Sequence, residues 1–261
     1  MGGAASALAI QIVNYRTRGY LERCLSALER DLDHSGLSYE VHVLDNDSGD
    51  DLTDLPARFA RSHVHQSPTN VGFGAGQNLL ARRSKGDHLL ILNPDVEFIQ
   101  PDTTRRLLSV LQSGERVSAA GPKLLTEAGV AQRWDHGRLH GLRAQIAVRA
   151  GDSYWRPTDR RQEVAWVSGA VMLIERAAFD EVGGFDERFF LFKEEEDLCL
   201  QMRRAGHRIV YDPSIVVRHH GSVVARKDAV FAESIAYYRR KNLSDGRLRR
   251  GLAVLHRRLP W

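Results

Sequence analysis

The motif Asn93-Pro94-Asp95 directly follows the apolar segment His88–Leu92 and carries side chains that suit a metal site. A carboxylate at the end of a buried strand can hold Mg²⁺ or Mn²⁺, because these cations prefer oxygen ligands and often bridge substrate phosphates. Asn-Pro and Pro-Asp are also common turn pairs. Taken alone, the motif favours a turn, so a metal site needs support from other residues.

Four consecutive acids, Glu194 to Asp197, open a predicted helix. Acidic residues in a first turn stabilise a helix through its dipole, which is a purely structural explanation. Successive helical residues point about 100° apart, so at least one of these carboxylates should face the body of the protein. Because a carboxylate in a cleft can act as a general base on a hydroxyl group, the run indicates a catalytic role.

Two further sites could contact a nucleotide: Asp45, at the end of the second predicted strand, and the glycine-rich loop 70–78. Asp45 suits a turn, and it suits equally a hydrogen bond to a nucleotide base or ribose. The loop 70–78 precedes a helix and can direct backbone N–H groups at a diphosphate, although tight packing on the sheet explains it too. It lacks the third glycine of a dinucleotide fingerprint, since that position is Gln77, and it lacks the Gly-Lys-Ser/Thr of a P-loop.

The scaffold that must position these residues is predicted from hydrophobic periodicity. It places strands at 8–15, 39–44, 64–66, 88–92, 164–174, 208–211 and 215–217, and helices at 20–30, 76–84, 103–112, around 143–149 and at 194–204. Asp102 is the expected cap of the third helix. This alternation is typical of an α/β fold with a mostly parallel sheet, in which ligands bind at the carboxyl ends of the strands. Three polar groups, at 14–15, 45–46 and 93–95, fall at such ends.

Composition and charge exclude several classes of protein. Of the 261 residues, 43% are hydrophobic and 27% charged, which is typical of a soluble globular protein. No segment approaches the roughly 18–20 apolar residues that cross a bilayer, and we expect no signal peptide. Residues 218–261 hold eleven basic and three acidic side chains, a net charge of +8 that leaves −4 on residues 1–217. An acidic body argues against a nucleic-acid partner. Cys24 and Cys199 have no metal or redox spacing, which favours a reducing, cytoplasmic setting.

In their order and spacing, the motifs resemble those of the inverting family 2 glycosyltransferases with the GT-A fold, particularly the rhamnosyltransferase-like branch. The resemblance runs from about residue 10 to about residue 241 and rests on IVNYR at 12–16, VLDNDSGDD at 43–51, NVGFGAGQN at 70–78, GDHLLILNPDV at 86–96, the long segment 167–213, and HHGS at 219–222. It implies a Rossmann-like central sheet flanked by helices, with a smaller acceptor-side subdomain. We expect the transferase domain at 1–238, with a nucleotide-binding half at 1–125 and an acceptor and catalytic half at 126–238. A basic tail follows at 239–261.

The resemblance also implies roles for individual residues. Nucleotide-sugar contacts are expected from Asn14, Tyr15, Asp45, Asn70, Gly72, Asn78, Asn93 and Asp95. The family's Asp-x-Asp motif falls on 93–95 with Asn in first place, which leaves Asp95 as the ligand of Mg²⁺ or Mn²⁺. His219 is the expected second metal ligand, with His220 as the alternative. The catalytic base falls on Glu195, where the family has Asp, with Glu194 as the alternative.

These roles predict a metal-dependent, inverting hexosyltransferase of the kind that builds polysaccharides. It would move a sugar, with dTDP-rhamnose as one candidate donor, from a nucleoside-diphosphate sugar to a hydroxyl of a glycan, glycolipid or small-molecule acceptor. The alternatives are a family 2 transferase that uses a UDP-hexose, and an inactive nucleotide-sugar binding module, because the metal and base motifs both depart from their all-Asp forms. The glycine spacing disfavours a dinucleotide oxidoreductase.

Two regions are expected to contact other partners. Acceptor contacts are expected in 126–163, where Trp134, Tyr154 and Trp155 offer aromatic faces that suit sugars. The basic tail either packs on the body as a solvated helix or lies on an anionic membrane as an amphipathic helix, at the inner face.

Overall fold

The computed structural model describes residues 8–33, 35–138, 146, 155–221 and 228–243. The strands in these ranges are β1 (Leu8–Asn14), β2 (Tyr39–Asp45), β3 (Ser62–Gln66), β4 (His88–Leu92), β5 (Val96–Phe98), β6 (Val117–Leu125), β7 (His136–Gly137), β8 (Gln162–Val164), β9 (Trp166–Val167), β10 (Val171–Glu175) and β11 (Arg208–His219). The helices are α1 (Arg18–Leu32), α2 (Leu55–Arg58), α3 (Phe73–Arg83), α4 (Thr103–Leu111), α5 (Arg176–Glu181), α6 (Glu194–Arg204) and α7 (Asp228–Leu243). The predicted helix around 143–149 lies outside the described residues, apart from Ile146.

One large sheet has the strand order β3-β2-β1-β4-β10-β6-β11-β5, and β8 also pairs with β11. The first four strands are parallel, as predicted. The second half is mixed, because β10 runs antiparallel to both β4 and β6 while β11 runs parallel to β6. Asn14 is in register with Asp45, and Ile12 with Leu92, so the polar ends of β1, β2 and β4 lie side by side.

Both faces of the sheet are covered by helices. Ile10 and Ile12 of β1 belong to an apolar cluster that includes residues of α1 and α4. Ala9 belongs to a second cluster, which includes residues of α3, α5 and α6. Because successive strand residues point to opposite faces, strands buried on both faces are apolar throughout, which explains their uninterrupted hydrophobic runs. Cys24 and Cys199 are buried free thiols whose pKa burial raises to about 12, so neither is reactive.

The apolar segment 164–174 is not one strand, as the sequence predicts, but parts of three, β8, β9 and β10. The chain turns after β9, where the Ser168 hydroxyl accepts a hydrogen bond from the Ala170 N–H at 3.2 Å. A Cβ on Gly169 would lie 3.2 Å from the Phe73 ring, so the turn packs closely on α3. Ser168-Gly169 is the one sign of this turn in an otherwise apolar run, which also fits a single buried strand.

Two other local predictions are wrong. The segments 208–211 and 215–217 form the single strand β11, whose register shifts between Asp212 and Val216, around a proline that cannot donate to the ladder. Asp102 does not cap α4 with its side chain. Asp31, at the end of α1, accepts the Thr103 N–H at 2.7 Å instead, so a residue far away in the sequence caps this helix.

Helix α7 crosses the predicted domain boundary at 238. Lys241 Nζ lies 2.6 Å from Asp197 Oδ2 and 2.7 Å from Asp186 Oδ2, and Asn242 donates to Asp197 Oδ1 at 2.7 Å. Residues 239–243 therefore belong to the folded body, while 244–261 lie outside the described residues. No helix in the described part of the chain has the length and apolarity to cross a bilayer.

Candidate active site

The ends of β1 and β2 are tied together by Asn14 and Asp50. The buried Asn14 donates from Nδ2 to Asp50 Oδ2 at 2.9 Å and accepts from the Thr17 hydroxyl at 2.8 Å. Asp50 Oδ2 also accepts the N–H groups of Thr17 and Arg18, and so caps α1. Asp45 accepts the Ser48 N–H at 3.1 Å. These bonds fix the ends of both strands, which form the floor of the candidate site.

The glycine-rich loop is held over this floor by Asn46. Its Nδ2 donates to Asn70 Oδ1 at 2.9 Å and to the Gly72 carbonyl at 3.2 Å, and its Oδ1 accepts the Val71 N–H at 3.0 Å. Asn70 Oδ1 also accepts the Gly72 N–H at 3.0 Å. The side chain of Asn46 is thus fully engaged in shaping the loop.

Gly72 allows the same loop to meet the segment before α6. Its backbone has φ 85° and ψ 179°, a combination that only glycine adopts without strain. A Cβ here would collide with the Phe190 carbonyl. That carbonyl accepts the Phe73 N–H at 3.0 Å, so the start of α3 is joined directly to the chain that leads into α6.

Asp95 is a buried carboxylate surrounded by donors. Its Oδ2 accepts the Gly221 N–H at 2.9 Å, and its Oδ1 lies 3.4 Å from His219 Nε2. Burial alone would raise the pKa of this carboxyl, but the hydrogen bond and charge of His219 and the Gly221 N–H together hold the pKa below its usual value. The group is therefore ionised at neutral pH.

His219 faces Asp95, whereas His220 turns away. Nε2 of His219 lies 3.3 Å from Asn93 Nδ2, so the first residue of the 93–95 motif also lies beside the Asp95–His219 pair. His220 directs its ring at Glu97, with Nε2 3.2 Å from Oε1. The geometry therefore favours His219 over His220 as the partner of Asp95.

A carboxylate oxygen and an imidazole nitrogen that face one point fit Mg²⁺ or Mn²⁺ as two protein ligands. No group of three or more His, Cys, Asp or Glu side chains suited to a metal occurs in the described part of the chain. A cation held by Asp95 and His219 would complete its coordination with other oxygen atoms, which the phosphates of a bound donor can supply.

Glu194 and Glu195 point in different directions from the first turn of α6. The Cβ of Glu194 lies 3.5 Å from the position of a Cβ on Gly74, so this buried side chain lies beneath the start of α3. The Cβ of Glu195 lies 3.6 Å from the corresponding position on Gly169. The next residue, Ala170, accepts the Asn93 N–H at 2.9 Å, so the half-buried Glu195 is on the side of the 93–95 motif.

Both of these carboxyls have raised pKa values. Burial raises the pKa of Glu194 well above its usual range, and the neighbouring Glu195 raises it further. Burial also raises the pKa of Glu195. Each has an Oε2 atom that is shielded from water and has no hydrogen-bond partner. The other two acids of the run are structural, because Glu196 pairs with Lys193 and Asp197 with Lys241.

The chain entering α6 is strained and is held by α7. Phe192 and Lys193 have φ values of 71° and 73°, which are unfavourable for residues other than glycine. The Ser234 hydroxyl donates to the Leu191 carbonyl at 2.7 Å, and the Phe231 ring packs against Phe192 with centroids 5.5 Å apart. Because α7 supports this backbone, it also helps to fix the two glutamates that follow.

Two of the predicted nucleotide-sugar contacts, Asn78 and Tyr15, already contact other groups of the protein. Asn78 donates to the Phe185 carbonyl at 2.9 Å and accepts the Phe185 N–H at 3.0 Å, so its side chain joins α3 to the chain before α6. Tyr15 is half-buried, with the Arg16 guanidinium 5.1 Å from its ring centroid. Both contacts stay predictions.

The predicted acceptor residues are described only in part. Trp134 is 62% exposed, whereas Trp155 donates to the buried Asp135 at 2.8 Å. Tyr154 lies outside the described residues. Sequence reasoning placed Asn46 at a strand end without a role of its own and missed Gln132, because the partners of both are distant in the sequence.

Comparisons with known proteins agree with this architecture. Residues 5–243 match the profile of the family described as "Glycosyltransferase like family 2". The chain is 28% identical over 236 residues to an N-acetylglucosaminyl-diphospho-decaprenol L-rhamnosyltransferase of Mycobacterium tuberculosis, covering 82% of this chain and 76% of that protein. It is 25% identical over 227 residues to the rhamnosyltransferase WbbL of Escherichia coli, covering 81% and 82%.

A solved structure has the same fold. The mannosyltransferase PcManGT from Pyrobaculum calidifontis, in complex with GDP-Man and Mn²⁺, superposes with a TM-score of 0.65 at 16% identity. The match covers 93% of this chain and 66% of that one. This likeness confirms the expected GT-A fold. Since the family profile spans nearly the whole sequence, the chain belongs to the glycosyltransferase-like family 2.

Proposed function

We propose that the chain is a metal-dependent, inverting glycosyltransferase that moves a sugar from a nucleoside-diphosphate donor to an acceptor hydroxyl. The observation that carries the proposal is that two carboxyl groups, Asp95 just beyond β4 and Glu195 in the first turn of α6, have opposite environments. Asp95 is paired and has a lowered pKa, whereas Glu195 has an unpartnered oxygen and a raised pKa. Environments that separate two pKa values in this way are typical of acid–base sites.

In this proposal the donor lies across the ends of β1, β2 and β4. Asn14, Tyr15 and Asp45 contact the nucleoside, and the loop that begins at Asn70 and Gly72 covers it. Asp95 and His219 hold Mg²⁺ or Mn²⁺, with Asn93 beside them. When bound, the cation neutralises charge that develops on the departing diphosphate.

Glu195 is the proposed base, with Glu194 as the alternative. Glu195 is half-buried and lies on the side of the 93–95 motif, so its carboxylate can take the proton of an acceptor hydroxyl as that oxygen attacks. Glu194 is 4% exposed and lies beneath the start of α3, so it is the less accessible of the two. A base on the face opposite the leaving group leads to inversion at the anomeric carbon.

The names of two relatives support rhamnose as the sugar that is moved, and one of them specifies L-rhamnose. We propose dTDP-rhamnose as the donor. The name of the Mycobacterium protein supports a lipid-linked diphosphate sugar as the acceptor. Such an acceptor lies at a membrane surface, and the basic residues of 244–261 would bring the enzyme to anionic lipid at the inner face.

Thermal unfolding with a panel of nucleotide sugars, with and without Mn²⁺, tests the proposed donor. A ligand at about 100 times its dissociation constant adds about 2.7 kcal/mol of stability. We expect dTDP-rhamnose with Mn²⁺ to give the largest shift. A larger shift with a UDP-hexose would replace the donor, and no shift with any nucleotide sugar would contradict the proposed function.

A further inference from the structure

Gln132 holds His219 at two points. Its Oε1 lies 2.8 Å from the ring nitrogen Nδ1 of His219, and its Nε2 donates to the backbone carbonyl of the same residue at 2.7 Å. One amide side chain thus fixes both the ring and the backbone of the proposed metal ligand.

The two bonds also determine which ring nitrogen carries the proton. A backbone carbonyl only accepts, so the amide nitrogen of Gln132 must face it, and the amide oxygen must then face the ring. That oxygen also only accepts, so the proton lies on Nδ1 of His219. In the neutral ring, Nε2 is left with a free lone pair, and a histidine binds a metal through such a nitrogen.

The lone pair points at the place where a cation would bind. Nε2 of His219 lies 3.4 Å from Asp95 Oδ1 and 3.3 Å from Asn93 Nδ2. When no cation is present, the Asn93 amide can donate to the lone pair of the neutral ring, whereas a ring protonated on both nitrogens would donate from Nε2 to Asp95. The reversed tautomer would instead direct an N–H at the cation.

Gln132 itself is held firmly. Its N–H donates to the Leu124 carbonyl at 2.9 Å, at the end of β6, and Leu124 is in register with Val217 of β11. A bridge between Leu125 and Ala131 closes the hairpin that carries Gln132. Strand pairing therefore fixes the backbone of Gln132 relative to the backbone of His219.

We infer that Gln132 is a positioning residue that keeps His219 in the Nδ1–H tautomer, with Nε2 free to bind the divalent cation. The inference rests on the proposed function, in which Asp95 and His219 hold the cation. Gln132 lies in the predicted acceptor and catalytic half, so a residue of this half would support the binding of the cation and its donor.

Two substitutions separate this role from a packing role. Gln132→Met has a similar size and removes both bonds, whereas Gln132→Glu keeps an acceptor for the Nδ1 proton and loses only the donor. Gln112→Met is the matched control, because Gln112 is exposed at the end of α4. Mn²⁺ binding is measured by electron paramagnetic resonance in the presence of dTDP.

We expect Gln132→Met to weaken Mn²⁺ binding by about 10- to 100-fold, the usual effect of losing the partner of a ligating histidine. The Mn²⁺ affinity of Gln132→Glu should stay closer to that of the unsubstituted protein, and the affinity of Gln112→Met should equal it. Equal Mn²⁺ affinity in Gln132→Met and the unsubstituted protein would overturn the inference and leave the proposed function intact.

Nitrogen NMR of the metal-free protein at alkaline pH reads the tautomer directly, with His219→Ala to assign the signals. We expect Nδ1–H in the unsubstituted protein and a gain of Nε2–H in Gln132→Met. An Nε2–H ring in the unsubstituted protein, or no change in Gln132→Met, would overturn the inference. If the unsubstituted protein bound no Mn²⁺, the metal role in the proposed function would fail, and the tautomer would still decide the role of Gln132.

Discussion

Glu194 and Glu195 are adjacent in the sequence but differ in what they can reach. One is buried beneath α3 and the other is half-buried beside Gly169. A general base must contact the proton that it removes, so access decides between them more firmly than pKa does.

We predict that Glu195→Gln lowers turnover by about 10²- to 10⁴-fold, the usual contribution of a general base. Donor affinity should not change, because the nucleotide contacts lie elsewhere. Glu194→Gln should keep most of its turnover, since burial and its neighbour raise the pKa of Glu194 and so favour the protonated form, which glutamine resembles in shape. Steady-state kinetics together with donor titration would measure both effects, and the reverse order of the two variants would exchange their roles.

The raised pKa of Glu195 also predicts a pH dependence. The base works only when deprotonated, so kcat/KM should fall as the pH drops through a value above the ordinary glutamate pKa of 4.5. The free energy of unfolding should change in the opposite direction. Because folding raises the pKa of Glu195, its protonated form stabilises the fold, and this stability is lost as the pH rises through the pKa of the folded state. A pH–rate profile of the unsubstituted enzyme checks the first point, and an acid limb at or below 4.5 would contradict it.

At this scale the sequence identifies residues whose role depends on strand ends. Asp95 and His219 each end or follow a strand, and the fold brings these ends together. Asn46 and Gln132 are different, because their hydrogen-bond partners are distant in the sequence. Asn46 bonds to Asn70, 24 positions away, and Gln132 bonds to His219, 87 positions away. Hydrogen-bond partners at such separations depend on the packing of whole elements, which local composition does not reveal.

At the scale of elements, the site depends on the contact between the start of α3 and the chain before α6. Gly72 lies at this contact and needs a backbone conformation that is nearly exclusive to glycine. Asn78 adds a second connection between the same two elements.

We predict that Gly72→Ala lowers the free energy of unfolding by more than Gly36→Ala. Both glycines have positive φ, but a Cβ on Gly36 meets nothing within 4 Å, whereas one on Gly72 meets the Phe190 carbonyl. Backbone strain costs about 1–3 kcal/mol, and overpacking at Gly72 adds about 1–3 kcal/mol. Urea unfolding of the two variants measures the difference. Equal losses would show that the loop does not depend on this contact.

Elements with clear local signals were predictable, and those set by tertiary structure were not. The run of acids before an apolar stripe and the glycine at 206 predicted α6 with its observed bounds. The turn between β9 and β10 was not predicted, because its local signal, Ser168-Gly169, lies inside an apolar run that also fits one buried strand. The cap on α4 comes from Asp31 in another helix, so no nearby residue could reveal it.

At the scale of the whole molecule, the basic charge near the C-terminus divides into two parts. Lys241 is used inside the fold, where it pairs with Asp186 and Asp197 and attaches α7. The five arginines of 244–261 lie outside the described residues, and in the sequence they form a basic segment that suits an anionic surface.

We predict that the full chain floats with vesicles that contain anionic lipid, and that changing Arg247, Arg249, Arg250, Arg257 and Arg258 to Gln abolishes this flotation. Each basic residue near such a surface contributes about 1 kcal/mol, so five neutral substitutions should have a large effect. Vesicles of neutral lipid are the control. Equal recovery of both chains with anionic vesicles would restrict the tail to packing on the body.

The measurement that tests the account most directly is the effect of Mn²⁺ on the binding of dTDP-rhamnose, by titration calorimetry, in the unsubstituted chain and in Asp95→Asn. Asp87→Asn is the matched control, because Asp87 is exposed just before β4 and Asp95 lies beyond its other end. We predict that Mn²⁺ strengthens donor binding in the unsubstituted chain and in Asp87→Asn, and that Asp95→Asn loses this effect. Equal strengthening in all three proteins, or none in the unsubstituted chain, would contradict the assignment of Asp95 to a metal-dependent donor site.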